Sequence, residues 1–119
     1  MSECISNVPE RLDIRVKQGS TFSFQMEFYL ADGETPRVLT GQAVQLRARK
    51  KRTSTNLLLT ADATIGTNVG VDDHVATFVL PAADTADIPC GCWVHDIDRD
   101  DGGTIHPVTL GAFEVVTDV

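Results

Sequence analysis

Thr21-Phe22-Ser23-Phe24-Gln25-Met26-Glu27-Phe28-Tyr29-Leu30 is the stretch from which the fold can be read. Phe22, Phe24, Met26, Phe28 and Leu30 occupy every second position, with Ser23, Gln25, Glu27 and Tyr29 between them. Successive side chains of an extended strand point to opposite faces, so a period of two gives one apolar face and one mostly polar face. A helix would scatter the same five side chains around its circumference. The stretch therefore predicts a central antiparallel strand of a sheet that is packed on one face and wet on the other.

The same period recurs on both sides. Leu12, Ile14 and Val16 alternate with Asp13, Arg15 and Lys17 as a first strand, and Gln18-Gly19-Ser20 turns the chain into the long one. Downstream, Asp32-Gly33 is a hairpin signal, and Arg37–Gly41 reads as a short edge piece. Val44, Leu46 and Ala48 then alternate with Gln45, Arg47 and Arg49. Leu57–Leu59 and Ala63–Val71 predict two further strands, the second weakened by Gly66 and Gly70. His74–Leu80 is another. Pro81–Asp87 is the one helix-like segment, with proline at its start. Cys92–Asp98 predicts a strand with Trp93, His95 and Ile97 on one face. Arg99–Gly103 reads as a hairpin loop, and Ile105–Val116 as a last strand with a bulge at Pro107 or Gly111. Seven or eight short strands with almost no helix indicate an all-β antiparallel sandwich. Residues 1–11, with Pro9 and no periodicity, predict an irregular N-terminal arm, and residues 12–119 a single sandwich domain. The expected core is Phe22, Phe24, Phe28, Leu46, Phe78, Trp93, Ile97 and Phe113.

Composition narrows the function classes. At 119 residues, 42% hydrophobic and 23% charged, the chain fits one globular domain. No apolar run approaches the ~20 residues needed to span a bilayer, and Met1–Arg11 carries neither the basic nor the apolar region of a secretion signal. Maturation in a cytoplasm is the expectation. Cys4, Cys90 and Cys92 then read as reduced thiols, since Cys90 and Cys92 flank a single glycine and do not form a zinc set.

The formal charge of −7 disfavours nucleic acid, and it is unevenly spread. Residues 1–52 hold nine of the ten Lys and Arg and six of the seventeen acids, a balance of +3; residues 53–119 carry −10. If those halves also separate in space, copies can dock head to tail or against a charged neighbour.

Three motifs invite a chemical reading. Asp96-Ile-Asp98-Arg-Asp100-Asp101-Gly102 resembles a calcium loop, but the sixth position is Asp101 and the twelfth Pro107, where an EF-hand needs glycine and glutamate. It reads better as a strand edge and hairpin tip. Arg47-Ala-Arg49-Lys50-Lys51-Arg52 packs five cations into six residues without interleaved aromatics, which favours a solvated loop or a protein-docking end over nucleic acid. His95 shares a strand face with Trp93 and Ile97 and reads as a packed, hydrogen-bonded histidine. With no G-x-S-x-G, phosphate loop or H-E-x-x-H, no enzyme and no cofactor are expected.

Taken in order, several segments resemble a known family. They are Ile14–Phe22, Leu30-Ala-Asp-Gly33, Val38-Leu-Thr-Gly41, Val44-Gln-Leu-Arg-Ala-Arg49, Leu80–Pro89 leading to Gly91, Trp93-Val-His-Asp-Ile97 and Leu110-Gly-Ala-Phe-Glu-Val115. Together they span about residues 12–117 and are similar to the small immunoglobulin-like β-sandwich structural proteins of tailed bacteriophages and prophages. Trp93 and His95 stand where that family usually has tyrosines, and Cys90 and Cys92 flank Gly91.

The resemblance implies a virion structural role without catalysis. The expectation is an adaptor of the tail or baseplate that docks other virion structural proteins through strand edges, N-terminal arm and charged loops and forms a trimer or ring; charge and hydropathy leave neither nucleic acid nor membrane as an expected partner. Expected partner-contact residues are Ile5, Val8, Arg47, Arg49, Lys50 and Arg52. A capsid decoration protein is the same-fold alternative. A carbohydrate- or receptor-binding module is the alternative of another class, with Tyr29 as its best aromatic.

Overall fold

A computed structural model describes residues 10–117. Among them are nine strands and one short helix: β1 Glu10–Arg11, β2 Ile14–Lys17, β3 Phe22–Glu27, β4 Ala43–Arg49, β5 Leu57–Asp62, β6 Thr64–Ile65, β7 Val75–Leu80, α1 Ala82–Ala86, β8 Gly91–Asp101 and β9 Thr104–Val116. They form two sheets. The larger has six strands in the order β1-β9-β8-β4-β5, with β2 also on β9; the smaller runs β3-β7-β6. The chain crosses between sheets within one residue, at Ala63, whose N–H donates to the Val44 carbonyl. The architecture is the expected immunoglobulin-like all-β sandwich with one helical turn near residues 81–87. One departure from a purely antiparallel sheet is that β1 and β2 both run parallel to β9.

Alternation selects what fills the space between the sheets. Val44, Leu46 and Ala48 of β4, Ile97 of β8, Phe113 and Val115 of β9, and Ile14 and Val16 of β2 point inward and are buried. Ala76, Phe78 and Leu80 of β7 meet them from the other sheet. Phe24 stacks on Phe78 at 5.0 Å between ring centroids, within the separation that favours offset stacking.

Several expectations change. Among the described residues β3 lies at the edge of the smaller sheet, not at its centre. Phe22, Phe24 and Met26 are consequently half-buried, and so is Trp93, whereas Phe28, Leu46, Phe78, Ile97 and Phe113 are buried as expected. An edge strand has a neighbour on one side only, so its inward side chains stay partly open. The Ala63–Val71 strand shrinks to Thr64–Ile65, because the chain bends at Asn68 and residues 69–74 are turns. Arg37–Gly41 forms no strand, yet Leu39 is fully buried. Residues 99–101 are strand rather than loop, which leaves only Gly102-Gly103 to turn the β8–β9 hairpin. The expected bulge occurs beside Pro107: Ile97 pairs with Thr109 and Asp98 with Pro107, so Val108 is the extra residue. Gly111 stays in register. Glu10 and Arg11, the last two residues of the expected arm, are already paired with β9.

Strand direction sorts the loops into two ends. Residues 28–42, 66–74 and 102–103 lie at one end, where Leu39 N–H donates to the Asp73 carbonyl and Phe28 N–H to the His74 carbonyl. Residues 18–21, 50–56 and 81–90 lie at the other. There the Gln18 side chain donates to the Ile88 carbonyl, and the buried Thr85 hydroxyl accepts from Gly19 N–H.

Candidate interaction surfaces

The outer face of the larger sheet carries most of the polar residues singled out above. Alternation that sends Leu46 and Ala48 inward sends Arg47 and Arg49 outward, and on β8 it sends Asp96 and Asp98 outward. Antiparallel register then sets Arg47 opposite Asp96 and Gln45 opposite Asp98. Arg47 Nη1 donates to Asp98 Oδ2 at 2.6 Å and lies 3.8 Å from Asp96 Oδ1. Arg49 Nη2 is 3.6 Å from Asp96 Oδ2, and Arg49 Nη1 donates to the Ser54 carbonyl at 3.2 Å. At the sheet margin Gln45 donates to Asp62 at 2.8 Å.

This ladder answers two sequence readings at once. The Asp96–Asp101 run is no ion cage, because its carboxylates do not converge. Asp96 and Asp98 are taken by arginines, Asp100 accepts from Gly103 N–H at 2.8 Å, and Asp101 faces Arg99 at 3.8 Å. Among the described residues no three His, Cys, Asp or Glu side chains gather to hold a metal. The basic run likewise splits in two. Arg47 and Arg49 are half-buried and engaged within the sheet, while Lys50, Lys51 and Arg52 stand exposed in the loop beyond β4. Ile5 and Val8 lie outside the described residues.

Burial lifts the Asp96 carboxyl above its usual range; the Asp98 charge adds to this, and Arg49 and Arg47 oppose it. Its Oδ1 is buried without a hydrogen bond, as is Arg49 Nε. The ladder is therefore more an ionic arrangement than a fully satisfied hydrogen-bond network.

His95 belongs to the interior. It is buried beside Gly111 of β9, and its Nε2–H donates to the Leu12 carbonyl at 2.8 Å. A Cβ on Gly111 would collide with that carbonyl, so glycine is what lets the β1–β2 segment close over β9 here. Asp13 completes the tie by accepting from Ala112 N–H at 3.0 Å, the main cause of its lowered pKa. Desolvation holds the His95 pKa down to about 4, with the Arg52 charge adding to the effect. This is a neutral structural histidine.

The two ends differ in character. At the end with residues 28–42 and 66–74, Tyr29, Leu30, Val38, Val69 and Val71 are all exposed. Sequence reasoning missed this apolar end, because residues far apart in the chain supply it and the runs that contain them read as strands rather than loops. Tyr29 sits 5.6 Å from the His74 ring and donates its hydroxyl to Glu27 at 2.6 Å. At the opposite end Lys50 Nζ lies 5.9 Å from the centre of the Trp93 ring, within cation–π range. Cys90 and Cys92 are free, exposed thiols there. No helix among the described residues is long and apolar enough to cross a membrane.

Neither a family model nor a curated protein sequence matches the chain. Solved structures do resemble it. One is a putative glycoside hydrolase from Bacteroides vulgatus ATCC 8482, with a TM-score of 0.52 and 9% identity over 90% of this chain. The chain spans only 17% of that protein. Another is the N-terminal domain of ORF48 of phage TP901-1, with a TM-score of 0.50 and 10% identity, covering 91% of this chain and 89% of the phage domain. At such identities the likeness is one of fold: this chain is an all-β sandwich of the kind found within that longer protein and as the phage domain.

Proposed function

We propose that this chain is a non-enzymatic structural adaptor of a tailed-bacteriophage particle, situated in the tail or baseplate, that docks other virion proteins through its loops and N-terminal arm. The observation supporting this reading is the mutual coverage with the phage domain: 91% of this chain matches 89% of that one, so the fold is shared as a whole unit. The ordered resemblance of segments across residues 12–117 points the same way. The chemistry of the described surface suits assembly, since Asp96 and Asp98 are engaged by arginines and Tyr29, Leu30, Val38, Val69 and Val71 stand exposed in the loops of one end.

Mass spectrometry and immunolabelling of intact particles test the reading. The expected result is this protein in purified virions, labelled at the tail and present in a handful to tens of copies. Hundreds of copies over the shell would replace it with the capsid-decoration reading, and absence from particles would overturn both. Tyr29 is the aromatic a sugar-binding role would need. Glycan binding that is lost in Tyr29→Ala would favour that role instead.

A further inference from the structure

We propose that copies of this chain dock head to tail, the Asn68–Asp72 loop tip of one copy entering the basic concavity beside Lys50–Leu58 of the next. The inference names the partner for the assembly role above and rests on that reading.

The tip is a bare apolar knob on a fixed stalk. Val69 is 87% exposed and Val71 68%, more than the other large exposed apolar side chains described. Asn68 N–H donates to Asp72 Oδ1 at 2.8 Å, Val71 N–H to the Asn68 carbonyl at 3.0 Å, and Gly70 N–H to Asp73 Oδ2 at 3.2 Å. Gly70 takes φ +76°, a left-handed value that suits glycine. A loop already held in one shape loses little conformational freedom on binding. Its surroundings are acidic on balance: Asp32, Glu34, Asp72, Asp100 and Asp101 lie at this end with Asp73 buried beneath the tip, against Arg37 and an Arg99 that is itself buried and 3.8 Å from Asp101.

The opposite end carries the complementary features. A concavity of about 420 Å³ is lined by Lys50, Thr53, Asn56, Leu57 and Leu58 among others. Leu57 is 44% exposed, giving the floor an apolar element. Lys51 and Arg52 are exposed on the same loop and make no ion pair among the described residues. An apolar knob with acidic flanks thus matches an apolar floor with a basic rim, and the two sit at opposite ends of one body. Contact between unlike ends is heterologous, giving a ring where the rotation closes and a filament where it does not.

Sedimentation of the full chain tests this. At ~0.01 M ionic strength, where the Debye length is about 30 Å, the protein is expected to associate with rising concentration; at ~1 M, where it is about 3 Å, association should weaken. Two double variants at exposed positions, Val69→Asp with Val71→Asp and Lys51→Glu with Arg52→Glu, should each weaken self-association roughly tenfold or more. Their circular dichroism should be unchanged. Val69→Ser with Val71→Ser should weaken it as well, without adding charge. Mixing the two charged variants should restore one interface, giving a one-to-one heterodimer that grows no further.

A wild-type monomer at low salt, variants that associate like wild type, or a mixture without heterodimer would each overturn the proposal. So would a symmetric dimer, or a tip that binds a different virion protein while the chain itself stays monomeric. A monomer that is nonetheless present in tails would end this inference and leave the adaptor reading intact. Self-association of a protein absent from particles would do the opposite.

Discussion

Strands β3 and β8 make an instructive pair. β3 has the strongest apolar alternation in the chain, yet it spans six residues at the edge of the smaller sheet and its inward side chains are only half-buried. β8 has a mixed sequence with four acids, yet it spans eleven residues between β4 and β9 at the centre of the larger sheet. Alternation reports which face of a strand is apolar. Centrality depends on having a hydrogen-bonding neighbour on both sides, and no single strand encodes that. β8 tolerates Asp96 and Asp98 because cross-strand Arg47 and Arg49 meet them on the outer face, and Asp100 and Asp101 because they sit at the hairpin end beside Gly103 N–H and Arg99, while His95, Ile97 and Arg99 turn inward.

The sharpest way to break this contrast is to remove a phenylalanine from each region. Phe113 of β9 pairs with Trp93 of β8 and is fully buried, so Phe113→Ala should cost about 3–5 kcal/mol in urea unfolding. Phe22→Ala on β3 should cost about 1–2 kcal/mol, because a half-buried ring loses less contact and leaves less cavity. Equal losses would show that β3 is as central to the core as β8.

A second prediction concerns pH. A histidine whose folded pKa lies near 4, below the unfolded 6.5, binds its proton more readily in the unfolded chain. His95 should therefore leave stability level above pH 6.5 and lower it as pH falls from 6.5 towards 4, by up to about 3 kcal/mol. In His95→Gln that slope should flatten, and amide exchange at Leu12 and Ala112 should quicken as the tie to β9 loosens. Asp96, whose folded pKa is raised, has the opposite sign and softens the acid end of the curve. An unchanged slope in the variant would remove His95 from this role.

The smallest effect belongs to the outer ladder. Arg47 and Asp98 are half-buried and 2.6 Å apart, so a double-mutant cycle with Arg47→Gln and Asp98→Asn should return a coupling of about 1 kcal/mol that falls with salt. A coupling near zero would mean that β8 carries its acids by solvation rather than by pairing.

Individual residues show where the sequence was readable. The inward faces of β4, β7 and β8 follow directly from alternation, and the bulge beside Pro107 follows from proline's missing donor. Leu39 and Ile88 are buried as deeply as any strand residue but sit in aperiodic segments, so no pattern marked them. Leu39 is carried inward by its N–H bond to the Asp73 carbonyl, and Ile88 by the contact of its segment with Gln18. The basic run of residues 47–52 was visible as charge. Its division into engaged Arg47 and Arg49 and exposed Lys50, Lys51 and Arg52 depends on where β4 stops and on which strand lies beside it. The exposed apolar end with Leu30, Val38, Val69 and Val71 could not be read at all, since residues 28–42 and 66–74 share an end only once the strands between them have paired.

What the sequence determined by itself is local: extended backbone wherever apolar residues recur at every second position, turns at the glycine and proline breaks, and a chain polarised from basic to acidic. Tertiary structure alone decided which strands became edges, which charges met partners and which loops shared an end. The physical reason is that periodicity and charge are properties of neighbouring residues. Hydrogen-bond partners across a sheet, and burial between two sheets, exist only after distant segments have been brought together.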